Sequence, residues 1–564
     1  MSTTTSSATA TTAASPTFDL ADLVLDVARR DPDRIAVIDE SRGIGSRRWT
    51  RTTTYATLSD RAESVAVGLR DIGVHEGTLC SFMVPPGEDA MVLALALWRV
   101  GAAMVGIEPH SHGLRNIARS LARVGPTVFF GSPEAHVARR AFGWGRGSVH
   151  TDVVVGPRRV PGAHTLASLE RPWPSEPRRT DAADDDPALI AFTTGSTGTP
   201  KPTVMTRRNL AMLIRGISEQ WKLGDGRDIV DMPTFPIFWI IGMSHGGTVV
   251  VPPMNFATKG PGDANPARLA ETIRRNNVHS MFGSPALLAN LATHCADHDV
   301  VLPSIRRIVA GGAEVPGPLF AAVKAVLGDG EMYSDYGATE VLPATEIAGD
   351  VVVGETWART ERGEGLCVGA PLAGVETRIV AIDDGPIATM EDATVLATGS
   401  VGEVVVRSPH VSDRYYESPT DMADNKIADG DALWHRLGDT GFLDESGRLW
   451  LCGRRSHRVV AAGRTYYPLC CEPVINAHPD VAASALIGIR DGGGDGPAEP
   501  AMCVELVTNP SRRIEVVEAE LAALAGTCDA TRGITRFIVI DRLPVDRRHN
   551  AKIDRPALSA RFSR

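Results

Sequence analysis

A chain of 564 residues is too long to share one compact core, so two or more domains are expected. Hydrophobic residues at 43% and charged residues at 22% are the balance of an ordinary globular protein. The 58 basic and 68 acidic residues leave a formal charge of -10, which excludes a general affinity for nucleic acid and still permits a local nucleotide site.

Residues 1–17 are rich in Ser, Thr and Ala, with no positive charge and no apolar segment. They fail as a secretion signal and are expected to form a disordered tail. The longest apolar stretch, 90–108, is interrupted by Arg99. A membrane-spanning helix needs about 20 mostly apolar residues, so a buried helix running into a strand fits better. Eight cysteines are scattered without a Cys-x-x-Cys pair, Cys470 and Cys471 being merely adjacent. That indicates neither a disulfide framework nor a zinc site, and a reducing, cytoplasmic setting is expected.

Short apolar runs then alternate with helical patterns, the mark of α/β architecture. Residues 188–193, 306–310 and 377–382 read as strands, and 141–186 and 491–500 as loops. Leu210, Leu213, Ile214, Ile217 and Trp221 recur at helical spacing. Residues 403–406 and 449–452, among Gly-rich turns, suggest an all-β portion. After Arg455 the pattern restarts as a small α+β unit, with strands at 481–489, 501–507 and 536–540 and a helix at 514–524. The expected division is a tail at 1–17, a large unit at 18–454 and a small one at 455–564.

The densest chemical signal is Phe192-Thr-Thr-Gly-Ser-Thr-Gly-Thr-Pro-Lys201, between a predicted strand and a predicted helix. Glycines let backbone N–H groups approach an anion, and hydroxyls and one lysine add donors and charge. The spacing from glycine to lysine is not that of a Walker A loop. The alternative is a bland Ser/Thr/Gly-rich connection.

This run resembles the phosphate-binding loop of the adenylate-forming superfamily, which includes acyl-CoA synthetases, luciferases and peptide-synthetase adenylation domains. Further matches follow in the expected order: Gly311-Gly-Ala-Glu314, Tyr336-Gly-Ala-Thr-Glu340, Gly438-Asp-Thr-Gly441, Gly453-Arg454 and Asn550-Ala-Lys552. The resemblance implies a large N-terminal adenylation domain of α/β subdomains plus a β-barrel portion, and a small mobile α+β C-terminal domain. It implies ATP and Mg²⁺ as cofactors. Thr193, Thr194, Gly195, Ser196, Thr197, Gly198 and Lys201 would hold phosphates, and Tyr336 would face adenine across Gly312 and Ala313. Glu314 and Gly337 would belong to the same ATP site. Thr339 would donate to the α-phosphate, Glu340 would ligate the metal, Asp439 would accept from the ribose, and Arg454 would hold ribose or phosphate. Lys552 would be the catalytic lysine, carried in and out as the small domain rotates about Arg455. Taken singly, a core tyrosine, a surface glutamate or a surface lysine are the bland readings.

Within the superfamily, the stretch from Phe235 through Pro236, Ile237, Phe238 and Trp239 to Ile241 lacks the aspartate that would hold an amino group, and Pro236 stands where many acyl-CoA synthetases have histidine. An apolar acyl pocket or a core strand would both look like this. With Phe282-Gly283-Ser-Pro-Ala286, Cys367-Val-Gly369 and Arg548-His-Asn-Ala-Lys552, the chain is most similar to OleC-type β-lactone synthetases. That likeness implies a 2-alkyl-3-hydroxy fatty acid as substrate, acyl-AMP as intermediate, and lactone closure by the substrate's own hydroxyl. It also implies association with other enzymes of an olefin or β-lactone pathway. Phe235, Pro236, Ile237, Phe238, Trp239, His245 and Gly283 are the expected substrate pocket. His245 and His457 are candidate bases only because histidine titrates near neutrality. Two positions depart from the superfamily pattern: Pro202 replaces a glycine and Arg207 a histidine, which bears on closure of the loop. An acyl-CoA ligase and a non-catalytic nucleotide-binding protein are the rival readings.

Overall fold

The computed structural model describes residues 19–563 except 41–42, 45–46, 49, 108–112, 175–177, 195–199, 225–228, 256–259, 491–496 and 545–552. The tail expected at 1–17, the loop residues Gly195, Ser196, Thr197 and Gly198, and Lys552 lie outside the described residues.

In one sheet the strands Pro187–Thr194, Ala103–Gly106, Leu79–Met83, Val128–Gly131, Thr151–Val154 and His164–Thr165 run parallel in that order. Pro200–Thr206 turns back antiparallel to Pro187–Thr194, and Arg414–Tyr415 pairs with it. Two expectations are corrected here. The segment 141–186 supplies two strands and the helix Leu166–Leu169, the strands being runs of 4 and 2 residues that are too short to register as periodic. Pro187–Thr194 and Pro200–Thr206, on either side of the hydroxyl-rich run, pair as antiparallel strands, and the helix Arg207–Gln220 begins only after the second.

The apolar stretch expected to be a helix and a strand is the helix Glu88–Arg99 followed by Ala103–Gly106. All but Asp89 of that helix is buried, as befits a helix apolar around its circumference. Arg99 is tolerated in the core because carboxylates surround it: Asp19 at 2.5 Å, Asp22 at 2.8 Å and Glu63 at 2.9 Å. Arg207 is equally buried and donates through both terminal nitrogens to the Trp98 carbonyl at 3.3 Å. It therefore anchors one core helix to another. The Pro202 carbonyl accepts from Tyr416 N–H at 2.8 Å, at the margin of the hairpin.

In a second sheet Glu331–Ala338, Arg307–Ala310, Ser280–Gly283, Val230–Asp231, Thr248–Val251 and Ile35–Asp39 run parallel. Beyond Glu331–Ala338 the same sheet becomes antiparallel through Val341–Ala348, Leu366–Pro371, Leu449–Arg454, Ala432–Leu443, Gly402–Arg407 and Glu376–Val380. This is the all-β portion.

After Arg455, Val481–Ile489, Glu499–Leu506 and Arg536–Ile540 form a third sheet. Cys471 and Ile475 of the helix Pro468–Asn476 and Val517 and Leu521 of Ile514–Thr527 pack with Leu486 and Met502. Leu558 of the helix Arg555–Phe562 packs with Ile487 and Cys503. The unit is α+β with its own cores. Among the described residues no helix is long and apolar enough to cross a membrane.

Asp231 sits inside the second sheet, where burial pushes its carboxyl up to about 7 from 3.8 despite hydrogen bonds from Ser280 and the Met232 backbone. The folded state thus binds this proton more tightly than the unfolded chain. Its stability is greatest below the unfolded value and falls as pH rises through the folded one. Asp231→Asn is expected to stabilise the protein by on the order of 1–3 kcal/mol at about pH 8 and by close to nothing near pH 4, as read from urea unfolding at each pH.

Candidate active site

Parallel strands of both sheets, Leu79–Met83, Ala103–Gly106 and Pro187–Thr194 in one and Glu331–Ala338 in the other, deliver their C-terminal ends to one cavity of about 1840 Å³. That exceeds the roughly 300–1,000 Å³ of a site for one small ligand. Its polar wall is built from strand ends. Gly312, Ala313 and Glu314 follow Arg307–Ala310; Tyr336, Gly337, Thr339 and Glu340 close Glu331–Ala338. Asp439 and Arg454 come from the paired strands Ala432–Leu443 and Leu449–Arg454, where they stand in register. Thr193 lies opposite Lys201 across the hairpin, and both reach the cavity. Of Thr194 only the backbone, opposite Pro200, is described.

Within this wall the Tyr336 hydroxyl donates to Asp439 Oδ2 at 2.7 Å, and Arg454 Nε meets Asp439 Oδ1 at 3.1 Å. Burial and the Asp439 carboxylate hold the Tyr336 phenol well above its usual range, so it stays a donor. Arg454 also donates to the Leu437 carbonyl at 2.8 Å, which fixes its guanidinium beside the carboxylate.

Glu340 is 6% exposed. Its Oε1 accepts from Tyr415 at 2.9 Å and from Thr203 Oγ1 at 3.3 Å, and its backbone carbonyl accepts from Ser412 N–H at 2.7 Å. Two lysines stand against the Tyr415 ring, Lys201 at 5.9 Å and Lys426 at 5.7 Å. Lys201 donates to Asn425 at 2.9 Å, and the buried Lys426 donates to the Ser412 carbonyl. Sequence reasoning missed Tyr415 and Lys426. Tyr415 lies 75 residues from the carboxylate it serves, and nothing local to it marks the pairing.

The other wall is apolar. Phe235, Ile237, Phe238 and Trp239 line it, not as a strand but as a 3-10 turn running into the helix Trp239–Ser244. Phe282 stacks on Phe238 at 4.2 Å, and Trp98 stacks on Trp239 at 6.1 Å. The Pro236 side chain is outside the described residues. Gly283 is on the strand Ser280–Gly283, where a side chain would press on Leu288, and it is not part of the cavity wall. His245 is also outside the wall, its Nδ1 within 2.9 Å of Ser244 Oγ.

Arg455 occupies the junction with the C-terminal unit. It donates to the Asp383 carbonyl and meets Glu403 Oε2 at 3.2 Å. Arg436 holds the same carboxylate at 2.6 Å. Beyond it, His457 and Arg555 also face the cavity. Burial and the neighbouring Arg555 and Arg454 push the His457 imidazole down to about 4 from 6.5. Arg555 is tied to the buried Glu472 at 2.7 Å.

Residues 24–416 match the family described as AMP-binding enzyme. The chain belongs to the AMP-binding enzyme family. Like other adenylate-forming members, it is an ATP-dependent, AMP-forming enzyme. An olefin beta-lactone synthetase of Stenotrophomonas maltophilia is 38% identical over 95% of this chain and 96% of its own. A second, from Xanthomonas campestris pv. campestris, is 37% identical over 94% and 95%. A feruloyl-CoA synthase of Amycolatopsis sp. is 26% identical over 78% and 81%. Among solved structures, the amide bond synthetase McbA of Marinactinospora thermotolerans superposes with a TM-score of 0.79 at 24% identity, over 97% of this chain and 99% of its own. The O-succinylbenzoate coenzyme A synthetase of Bacillus subtilis, in complex with AMP, does so at 0.73 and 20%, over 95% and 98%. Both establish that the AMP-binding enzyme shares their fold.

Glu403 is fully buried and shared by two arginines of this enzyme. Glu403→Ala is expected to cost about 3–5 kcal/mol in chemical denaturation, because it strands the buried Arg436. Glu403→Gln, which keeps an acceptor, should lose less.

Proposed function

We propose that the protein is an ATP-dependent β-lactone synthetase. It converts a 2-alkyl-3-hydroxy fatty acid and ATP to acyl-AMP and pyrophosphate, after which the acid's own hydroxyl displaces AMP and closes a four-membered ring. The observation that carries this reading is the 38% identity, over nearly the whole length, with the Stenotrophomonas olefin beta-lactone synthetase. A cavity in which the apolar wall joins the polar one supports it, since a carboxylate can lie near Thr339 with its alkyl arms among Phe235, Phe238 and Trp239. Holding hydroxyl and activated carbonyl in one pocket removes the entropic cost of a second substrate.

In this reading Tyr336 faces adenine across Gly312 and Ala313, beside Glu314 and Gly337, and Asp439 takes the ribose hydroxyls while Arg454 steadies it. Thr193, Thr194, Gly195, Ser196, Thr197, Gly198 and Lys201 bind the outer phosphates, and Thr339 binds the α-phosphate. Glu340 fits a magnesium ion, being a hard oxygen donor whose Oε1 is already fixed by two hydroxyls. Bound there, Mg²⁺ would offset phosphate charge. Lys552 neutralises charge between carboxylate and α-phosphorus, preorganised electrostatics that cost no reorganisation at the moment of reaction. The unit 455–564 carries that lysine and turns about Arg455 between the two steps. The same reading sets the enzyme in the cytoplasm, in association with the pathway enzymes that supply its hydroxy acid.

Purified protein given ATP, Mg²⁺ and a 2-alkyl-3-hydroxy fatty acid, without coenzyme A, is expected to yield lactone, AMP and pyrophosphate by NMR and mass spectrometry. Lys552→Ala should abolish adenylation by at least about 10²-fold. An acid left untouched until coenzyme A is added, then converted to a thioester, would instead make the protein an acyl-CoA ligase.

A further inference from the structure

Ring closure requires a group to receive the hydroxyl proton, and neither histidine singled out from the sequence suits it. His245 lies outside the cavity wall, and the surroundings of His457 oppose its protonation. Asp335 is different. It belongs to the cavity wall, is 6% exposed, and neither carboxyl oxygen meets a hydrogen-bond donor among the described residues. Native structures seldom bury a polar group without a partner, and such a group calls for an explanation.

Its surroundings define what it can do. Across the turn from Glu331–Ala338 to Val341–Ala348, Asp335 stands opposite Glu346. Glu346 is supplied with donors from outside the pair: Gln220 Nε2 at 2.6 Å, Trp221 Nε1 at 3.1 Å and Arg307 at 3.4 Å. Arg307 is the cation facing both carboxyls, its guanidinium 4.1 Å above the Tyr333 ring. Burial and the Glu346 carboxylate raise the Asp335 carboxyl well above the usual range. A carboxyl so placed favours its neutral form, which can both donate and accept, and Glu346 stands beside it. The same cavity wall holds Phe238, Phe282 and Leu342, and a polar group in a largely apolar wall can select one polar atom of an otherwise apolar ligand.

We propose that Asp335 receives the β-hydroxyl of the substrate, with Glu346 behind it as the destination of the proton when the ring closes. This rests on the lactone reading and deepens it. The hydroxyl oxygen forms a bond to the acyl carbon, the bond from that carbon to the phosphate oxygen breaks, and AMP leaves with the electron pair. The hydroxyl proton passes to the free oxygen of Asp335 as the proton of Asp335 passes to Glu346. The attacking oxygen therefore never carries a full charge.

The two half-reactions separate the claims. Pyrophosphate exchange is measured with the 3-hydroxy acid and with its 3-deoxy analogue, and lactone formation is followed from preformed acyl-AMP. The native enzyme is expected to prefer the hydroxy acid by at least about 10²-fold in kcat/KM. Asp335→Leu should lose that preference, its rate with the hydroxy acid falling to that with the deoxy acid, and native circular dichroism and thermal unfolding show that it is folded. Asp335→Asn keeps an acceptor but cannot relay, so it should retain most of the preference and lose ring closure by about 10²-fold. Native preference and closure in Asp335→Leu would overturn the assignment. So would equal loss with both acids, which would make the residue structural. A native enzyme that forms no lactone, yet loses its hydroxyl preference in Asp335→Leu, would sink the lactone reading and leave the hydroxyl site standing.

Discussion

Parallel strands all end on the same edge of a sheet, and the chemistry of this protein hangs from that edge. Two sheets face each other so that Pro187–Thr194 of one and Arg307–Ala310 and Glu331–Ala338 of the other finish at one cavity. The reversal at Glu331–Ala338, where a parallel sheet turns antiparallel, then brings a second set of strands to the same place. Asp439 and Arg454 arrive by that route, in register with each other. A site of strand ends is stiff by construction, as ligand pockets at this edge of α/β sheets generally are.

The formal charge of -10 conceals the local arrangement. Lys201, Lys426 and Arg454 converge on a region whose carboxylates, Glu340 and Asp439, are already hydrogen-bonded. Such a wall suits a polyanion with sugar hydroxyls attached. Elsewhere, buried charges are structural. The cluster of Arg99 with Asp19, Asp22 and Glu63 ties the first described residues to a core helix and lies apart from the cavity's polar wall.

The candidate site was most legible where its residues are neighbours in sequence. Tyr336-Gly-Ala-Thr-Glu340 and Gly438-Asp-Thr-Gly441 are short runs whose spacing is itself the signal. Glu403, Tyr415, Lys426 and the pair of Asp335 with Glu346 were not legible. Each acquires meaning only from a partner that strand pairing supplies, and no periodicity announces a cross-strand neighbour. The fold was read well for long elements, such as Val481–Ile489 and the helix carrying Leu210 to Ile217. It was misread where Pro200 and Pro202 disguise a strand, and where Thr151–Val154 is short and set among turn residues.

Glu403 serves two masters, Arg436 within the antiparallel block and Arg455 at the junction. Arg455 is thus held by the same carboxylate that neutralises a core cation. Any change at Glu403 that frees Arg455 also loosens the block beneath it. Attachment of the C-terminal unit at Arg455 and resistance to unfolding are therefore coupled through one side chain, and selection for either acts on both.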